Sequence, residues 1–193
     1  MPNLCADSSA HAWLCTEFWE LGYKLFKDSP EKFPVPFLAG DAFDPSFLAR
    51  SPIQPASDST PSTTAPAPSL SEIKNLTALA GRVSAIHATN FFHLFDEPKQ
   101  LALAQLFAGL LDPRPGSMIF GSHVGLVEKG DLAWRGESMW PMFCHSPTSW
   151  AEMWKGVFGD VSVRVEATAV EYQGIRDVKL DGAMQLMWSV TRV

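Results

Sequence analysis

The sequence predicts an α/β domain, a mixed sheet covered by helices with an antiparallel pair of strands at one edge. Three observations carry this. Segments with apolar residues at helical spacing alternate with short apolar runs along the chain. Two long segments of strict period two follow after residue 160. Hydrophobic residues make up 46% of the sequence, which suits a packed core and is too many for a disordered chain. Its 193 residues are one domain's worth.

In chain order, Thr16 is a fair N-cap, and Phe18, Leu21, Leu25 and Phe26 recur on one side, predicting a helix over 16–28 that Asp28-Ser29-Pro30 stops. Phe37-Leu38-Ala39-Gly40-Asp41 is a short apolar run ending in Gly-Asp, which reads as a buried strand opening into a loop. Residues 51–68 change character, with five prolines, seven Ser or Thr and one charge at Asp58. So little apolar surface does not offset ordering entropy, and a flexible surface insertion is expected there. Ser69 and Glu72 spell a capping box for a helix carrying Leu70, Ile73, Leu76 and Ala80, with Gly81 at C′.

Residues 82–89 read as a strand. The best helix, over 97–111, has Leu103, Leu106, Phe107, Leu110 and Leu111 on its apolar side, and 112–116 terminates it before a strand over 117–121. Ser146 followed by Pro147 marks another helix start, with Trp150, Met153, Trp154 and Val157 at core spacing. Val161, Val163, Val165, Ala167 and Ala169 then share one face of a strand, and Met184, Leu186, Trp188 and Val190 one face of the next, an antiparallel pair around the 173–182 connection.

Composition excludes several functions. Lys and Arg number 15 against 21 Asp and Glu, a net charge of −6, and no basic stretch exists to grip a phosphate backbone. No run approaches the ~18–20 apolar residues that span a bilayer. Cys5, Cys15 and Cys144 have neither disulfide-framework nor zinc spacing. The opening residues lack the layout of a signal peptide, the Asn75 sequon therefore carries little weight, and the default compartment is cytoplasmic. The five histidines show no ligand spacing, so no metal site is expected. Nothing spells a nucleophile elbow, a P-loop or a CxxC pair.

Several stretches carry a resemblance when taken together. They are Glu17-Phe18-Trp19-Glu20-Leu21-Gly22 and its continuation to Asp28, Phe37-Leu38-Ala39-Gly40-Asp41 through Asp44, residues 86–95, residues 110–121, and Met142-Phe143-Cys144-His145-Ser146-Pro147. In this order they resemble fungal class I S-adenosylmethionine-dependent methyltransferases of secondary-metabolite, meroterpenoid-type clusters, over residues 16–193. The resemblance implies a class I methyltransferase-like fold and S-adenosyl-L-methionine as cofactor. It also implies SN2 methyl transfer to an oxygen, often a carboxylate or phenol, of a hydrophobic polyketide- or terpenoid-type small molecule, and it leaves a homodimer open.

The departure from the family is at the front. Such enzymes begin with a strand and a Gly-rich loop, then a second strand ending in the acidic residue that binds the ribose. Residues 1–15 hold no glycine, and Trp13 and Leu14 fall where that acid belongs. Residues 1–15 are therefore a non-matching segment, and 16–193 are expected to form a truncated, partial domain whose first strand or strands are missing, with inactivity one of its open readings. Whether the chain is an enzyme stays open. The competing readings are a non-catalytic methyltransferase-like binding or scaffold module and a non-functional fragment.

By resemblance, Asp41 and Ala42 read the adenine, where the plainer reading of Asp41 is a turn starter after a strand. His87, Ala88 and Thr89 end a strand whose C-terminal edge is where open α/β sheets bind ligands. For His87, satisfaction by backbone is at least as good a reading, and for His93 packing is the stronger one. His123 and His145 fall where substrate residues of this family come from, although structural roles suit both. Trp134, Trp140, Trp150 and Trp154 are either core rings or the apolar lining of a substrate chamber. The substrate-pocket candidates are thus His123, Trp140, His145 and Trp150.

Overall fold

The computed structural model describes residues 16–55, 68–132, 142–171 and 182–193. The chain divides into two compact units, Met1–Ala49 with Ala65–Ala78, and Arg50–Thr64 with Leu79–Val193.

The second unit holds the sheet. Its strands are β1 (Ala85–His87), β2 (Met118–Gly125), β5 (Val163–Glu171) and β6 (Met184–Arg192), in the order β1-β2-β6-β5. β1 runs parallel to β2, whereas β2 with β6 and β6 with β5 are antiparallel. The sheet is thus mixed, with the antiparallel pair at one edge that the period-two segments predict. Register explains their alternation. Val165 lies opposite Val190, Ala167 opposite Trp188 and Ala169 opposite Leu186, so both apolar sets share one face. Helix α3 (Pro147–Phe158) packs on β5, and α2 (Glu97–Leu110) packs on α3.

Between sheet and helices lies a core of large rings. Phe92, Trp150 and Trp154 have no exposed surface, and Leu103, Ile119, Leu186 and Val190 join them. Burying such rings is strongly favourable. α3 starts as the sequence predicts: the Ser146 hydroxyl accepts from the Ser149 N–H, the Ser149 hydroxyl accepts from the Ser146 N–H, and Pro147 occupies the first turn. Ser146→Ala should cost about 1 kcal/mol in a urea titration, the usual loss of a cap. The short pair β3 (Gly130–Leu132) and β4 (Met142–Cys144) was not legible, being three residues each.

The strand over 82–89 is ordered as β1 only at 85–87, with a single parallel bridge from Val83 to Leu111 before it. Residues 51–55 lie along this unit: the Ser51 carbonyl would be 2.7 Å from a Cβ placed on Gly109, and the Gln54 carbonyl accepts from the Arg192 guanidinium. The rest of the expected insertion, 56–67, lies outside the described residues, as do residues 1–15 and most of the 173–182 connection.

The first unit corrects two expectations. α1 (Thr16–Phe26) forms, one turn's edge shorter than expected, but Phe37–Asp41 is not a strand. No neighbouring strand pairs with it among the described residues, and Phe37 instead stacks on Trp19 of α1 at 5.1 Å. The helix expected from Ser69 is also absent: a turn spans 70–72, and only a 3-10 helix, Leu76–Leu79, follows. The Ser69 hydroxyl bonds the Ser71 hydroxyl rather than capping. The N–H groups of Leu76 and Thr77 donate to the Phe47 carbonyl and the Thr77 hydroxyl accepts from the Ala49 N–H, so bonds to a distant segment take the place of the helix ladder. On α1, Phe18, Leu25 and Phe26 remain exposed.

Candidate cofactor edge

Parallel strands β1 and β2 bring their C-terminal ends to one edge, the place where α/β sheets present ligand-binding groups. β1 ends at His87, and the chain continues against β2: the Ala88 N–H donates to the Phe120 carbonyl (2.9 Å) and the Asn90 N–H to the Ser122 carbonyl (2.7 Å). This close pairing needs Gly121. A Cβ there would lie 2.2 Å from the Ala88 carbonyl oxygen. Asn90, at φ 52°, adopts the left-handed conformation that Asn tolerates and turns the chain inward, so that Phe92 enters the core.

Side chains alternate accordingly. Ala88 is buried; His87 and Thr89 are exposed, and the His87 Nε2 is hydrogen-bonded to the Thr89 hydroxyl at 2.7 Å. The His87 ring also stacks on Phe120 with centroids 5.0 Å apart. The sheet edge therefore presents a ring face and a hydroxyl to solvent. Asp41 and Ala42 belong to the first unit. Asp41 is exposed, and its Oδ1 accepts from the Phe43 N–H at 2.8 Å, an Asx turn.

The substrate-side candidates fall in different places. His123 is 1% exposed and sits among rings, 4.7 Å from Trp150 by centroid, with its Nδ1 accepting from the Trp188 indole at 3.0 Å. Burial pushes its pKa down to about 3, and the nearby His93 and His145 add to the shift. Trp150 is wholly buried in the same core. His145 is buried too, but it lines a groove of about 430 Å³ between α2 and α3, with Glu97, Lys129, Ser149 and Glu152 among the walls. Its Nδ1 is hydrogen-bonded to the Ser149 hydroxyl at 2.9 Å. Burial lowers its pKa to about 4, Glu97 opposing and Lys129 reinforcing the shift. Trp140 and Trp134 lie outside the described residues.

Sequence reasoning missed Ser149, Asn90 and Gly121. A signal for Gly121 exists, a glycine inside an apolar strand, which marks close backbone approach. Among the described residues no group of three or more His, Cys, Asp or Glu is placed to hold a metal ion. No described helix is long and apolar enough to cross a membrane.

The mixed α/β sheet with its covering helices is consistent with a methyltransferase-like fold, and known proteins similar to the chain are of that class. It is similar to a group of curated fungal secondary-metabolite methyltransferases. O-methyltransferase phiE of a fungal species (strain ATCC 74256) is 29% identical over 156 residues, 81% of this chain and 43% of phiE. Methyltransferase ausD of Penicillium brasilianum is 32% identical over 93 residues, 48% of this chain and 33% of ausD. Asnovolin E/Chermesin D methyltransferase nvfJ of Aspergillus novofumigatus is 29% identical over 119 residues, 61% of this chain and 42% of nvfJ. The chain thus spans less than half the length of these relatives. No protein-family model matches it.

Proposed function

We propose that the chain is an S-adenosylmethionine-dependent methyltransferase-like protein of fungal secondary metabolism, with His87, Ala88 and Thr89 as its cofactor edge. The observation that carries this reading is the parallel β1–β2 edge, closed tightly at Gly121, in a sheet of order β1-β2-β6-β5. The methyltransferase relatives support it.

The residues present fit part of such a cofactor. An adenine needs a ring face and hydrogen-bonding groups; in the second unit His87 stacked on Phe120 and the Thr89 hydroxyl are of that kind. A ribose diol needs a carboxylate, and residues 85–95 contain none. When bound, the cofactor supplies an electrophilic methyl group. This chain's residues then orient the acceptor oxygen and exclude water, since alignment and desolvation carry most of such a transfer and no acid or base is assigned. The acceptor is an oxygen of a hydrophobic polyketide- or terpenoid-type molecule. Of the described substrate-side candidates, His145 lines a groove between α2 and α3.

Because residues 85–95 bring no carboxylate for the ribose, this edge is expected to hold the cofactor weakly. A thermal melt tests this. S-adenosylmethionine at ten times its Kd adds about 1.4 kcal/mol, a rise of about 3–6 °C at this length. A rise that appears only at millimolar cofactor and then grows with the logarithm of its concentration is expected. A melt that ignores the cofactor at every concentration contradicts the reading and favours the second one, a non-catalytic binding module. That alternative has its own observation: among the described residues β1 pairs with β2 alone, leaving one side of a parallel strand open.

A further inference from the structure

Three of the five histidines come together, His123 and His145 in the core and His93 at its margin, although they are far apart in sequence. His93 comes from the single 3-10 turn Phe92–Leu94, His123 from β2 and His145 from the approach to α3. The His93 and His123 rings are 6.0 Å apart by centroid, and Trp150 stands 4.7 Å from His123 and 5.3 Å from His145. His93 Nδ1, His123 Nε2 and His145 Nε2 are all buried without a hydrogen-bond partner among the described residues. β6 contributes Trp188, whose indole N–H occupies His123 Nδ1, and α3 contributes the Trp150 and Trp154 rings. From α2 come the uncharged Gln100, held by the Phe95 and Phe143 carbonyls, and Glu97. Glu97 and Lys129 of the turn after β2 are the charged groups that act on His145, with opposite sign, and they are paired with each other at 2.9 Å. Glu152 of α3 also lines the groove beside His145, whereas no carboxylate is among the groups that shift His93 or His123.

We propose that His93, His123 and His145 form an acid-operated switch, in which proton uptake by the cluster lifts the 89–94 segment out of the core and so disassembles the β1 edge at His87. The functional consequence rests on the cofactor-edge reading; the opening itself does not. The turn is the element that yields because it is one turn long and joins β1 to α2 through the left-handed Asn90. Its release frees His93 directly and opens His123 to water through the departure of Phe92.

The direction of the pH dependence follows from burial. It holds His93 at about 4, His123 at about 3 and His145 at about 4, against an ordinary 6.5. The closed form keeps the rings neutral, while the open form takes up protons first as pH falls below 6.5. The closed form is therefore fully favoured above that pH and loses ground towards pH 4.

Indole fluorescence and far-UV circular dichroism, followed together on acidification from pH 7.5 without cofactor, test the switch. A fluorescence step between pH 6.5 and 4 is expected, taking up more than one proton, while the sheet signal persists. His93→Phe should move that step down by about half a pH unit or more and flatten it. Fluorescence and sheet signal lost in one coincident transition overturn the proposal, as does no step above pH 4, or a His93→Phe midpoint equal to that of the wild type. Should His93→Phe fail to fold, histidine ring NMR of the wild type decides. Three rings silent until the step are expected, and five rings titrating near 6.5 would overturn it. A cofactor melt that fails while the step appears sinks the cofactor reading and leaves the switch.

Discussion

Gly121→Val is expected to open the β1–β2 side of the sheet, with a loss of about 3 kcal/mol or more in urea unfolding and loss of any cofactor-induced rise in melting temperature. The reason is local. A Cβ at 121 would meet the Ala88 carbonyl oxygen at 2.2 Å and its carbon at 2.7 Å, with the Trp188 ring at 3.2 Å behind. The first two are backbone atoms fixed by the bond from the Ala88 N–H to Phe120, so no side chain has room to swing away. The strands must part, and with them the register that sets His87 opposite Phe120. Because even one carbon clashes, Gly121→Ala should show the same defect, more weakly. A variant as stable as the wild type would mean that this edge is not closely packed.

Trp150→Ala should be the costliest single truncation in the helix layer, about 3–5 kcal/mol, enough to threaten a domain whose whole stability is on the order of 5–15 kcal/mol. Trp150 has no exposed surface, and its ring lies within 6 Å of Phe92, His123, His145, Trp154 and Trp188 by centroid. The void would therefore be lined from several sides, with little chance of collapse. Trp150→Phe offers a control. It keeps a ring and removes an indole N–H that has no hydrogen-bond partner among the described residues, so its cost should be a fraction of the alanine cost. Equal losses for both variants in urea titrations would contradict this account of the core.

The parts of the fold that could be read in advance are those where one residue's chemistry fixes a local geometry or where one face is buried throughout. Ser146-Pro147 fixes a helix start whatever surrounds it, and strict alternation over β5 and β6 follows from a sheet with one packed face. The failures have the opposite character. Phe37–Asp41 has strand composition, but a strand exists only if another accepts its hydrogen bonds, and Trp19 offered a packing partner instead. Ser69 and Glu72 have capping-box spacing, yet contacts with Phe47 and Ala49, many residues away, settled the backbone.

The candidate site was legible to a similar degree. His87 at a strand end was visible because the strand was. His123 was placed beyond a strand ending at Gly121, whereas β2 runs to Gly125 and puts His123 on the same face as Ile119, inside the core. A boundary moved by four residues changes that side chain from a loop residue to a buried one.

The central claim, that the end of β1 is a cofactor edge, is tested most directly by titrating S-adenosylmethionine into the chain while following the histidine ring signals by NMR. The account predicts that the His87 signals move saturably with cofactor while those of buried His123 stay in place. His87 signals that do not move at saturating millimolar cofactor would contradict it.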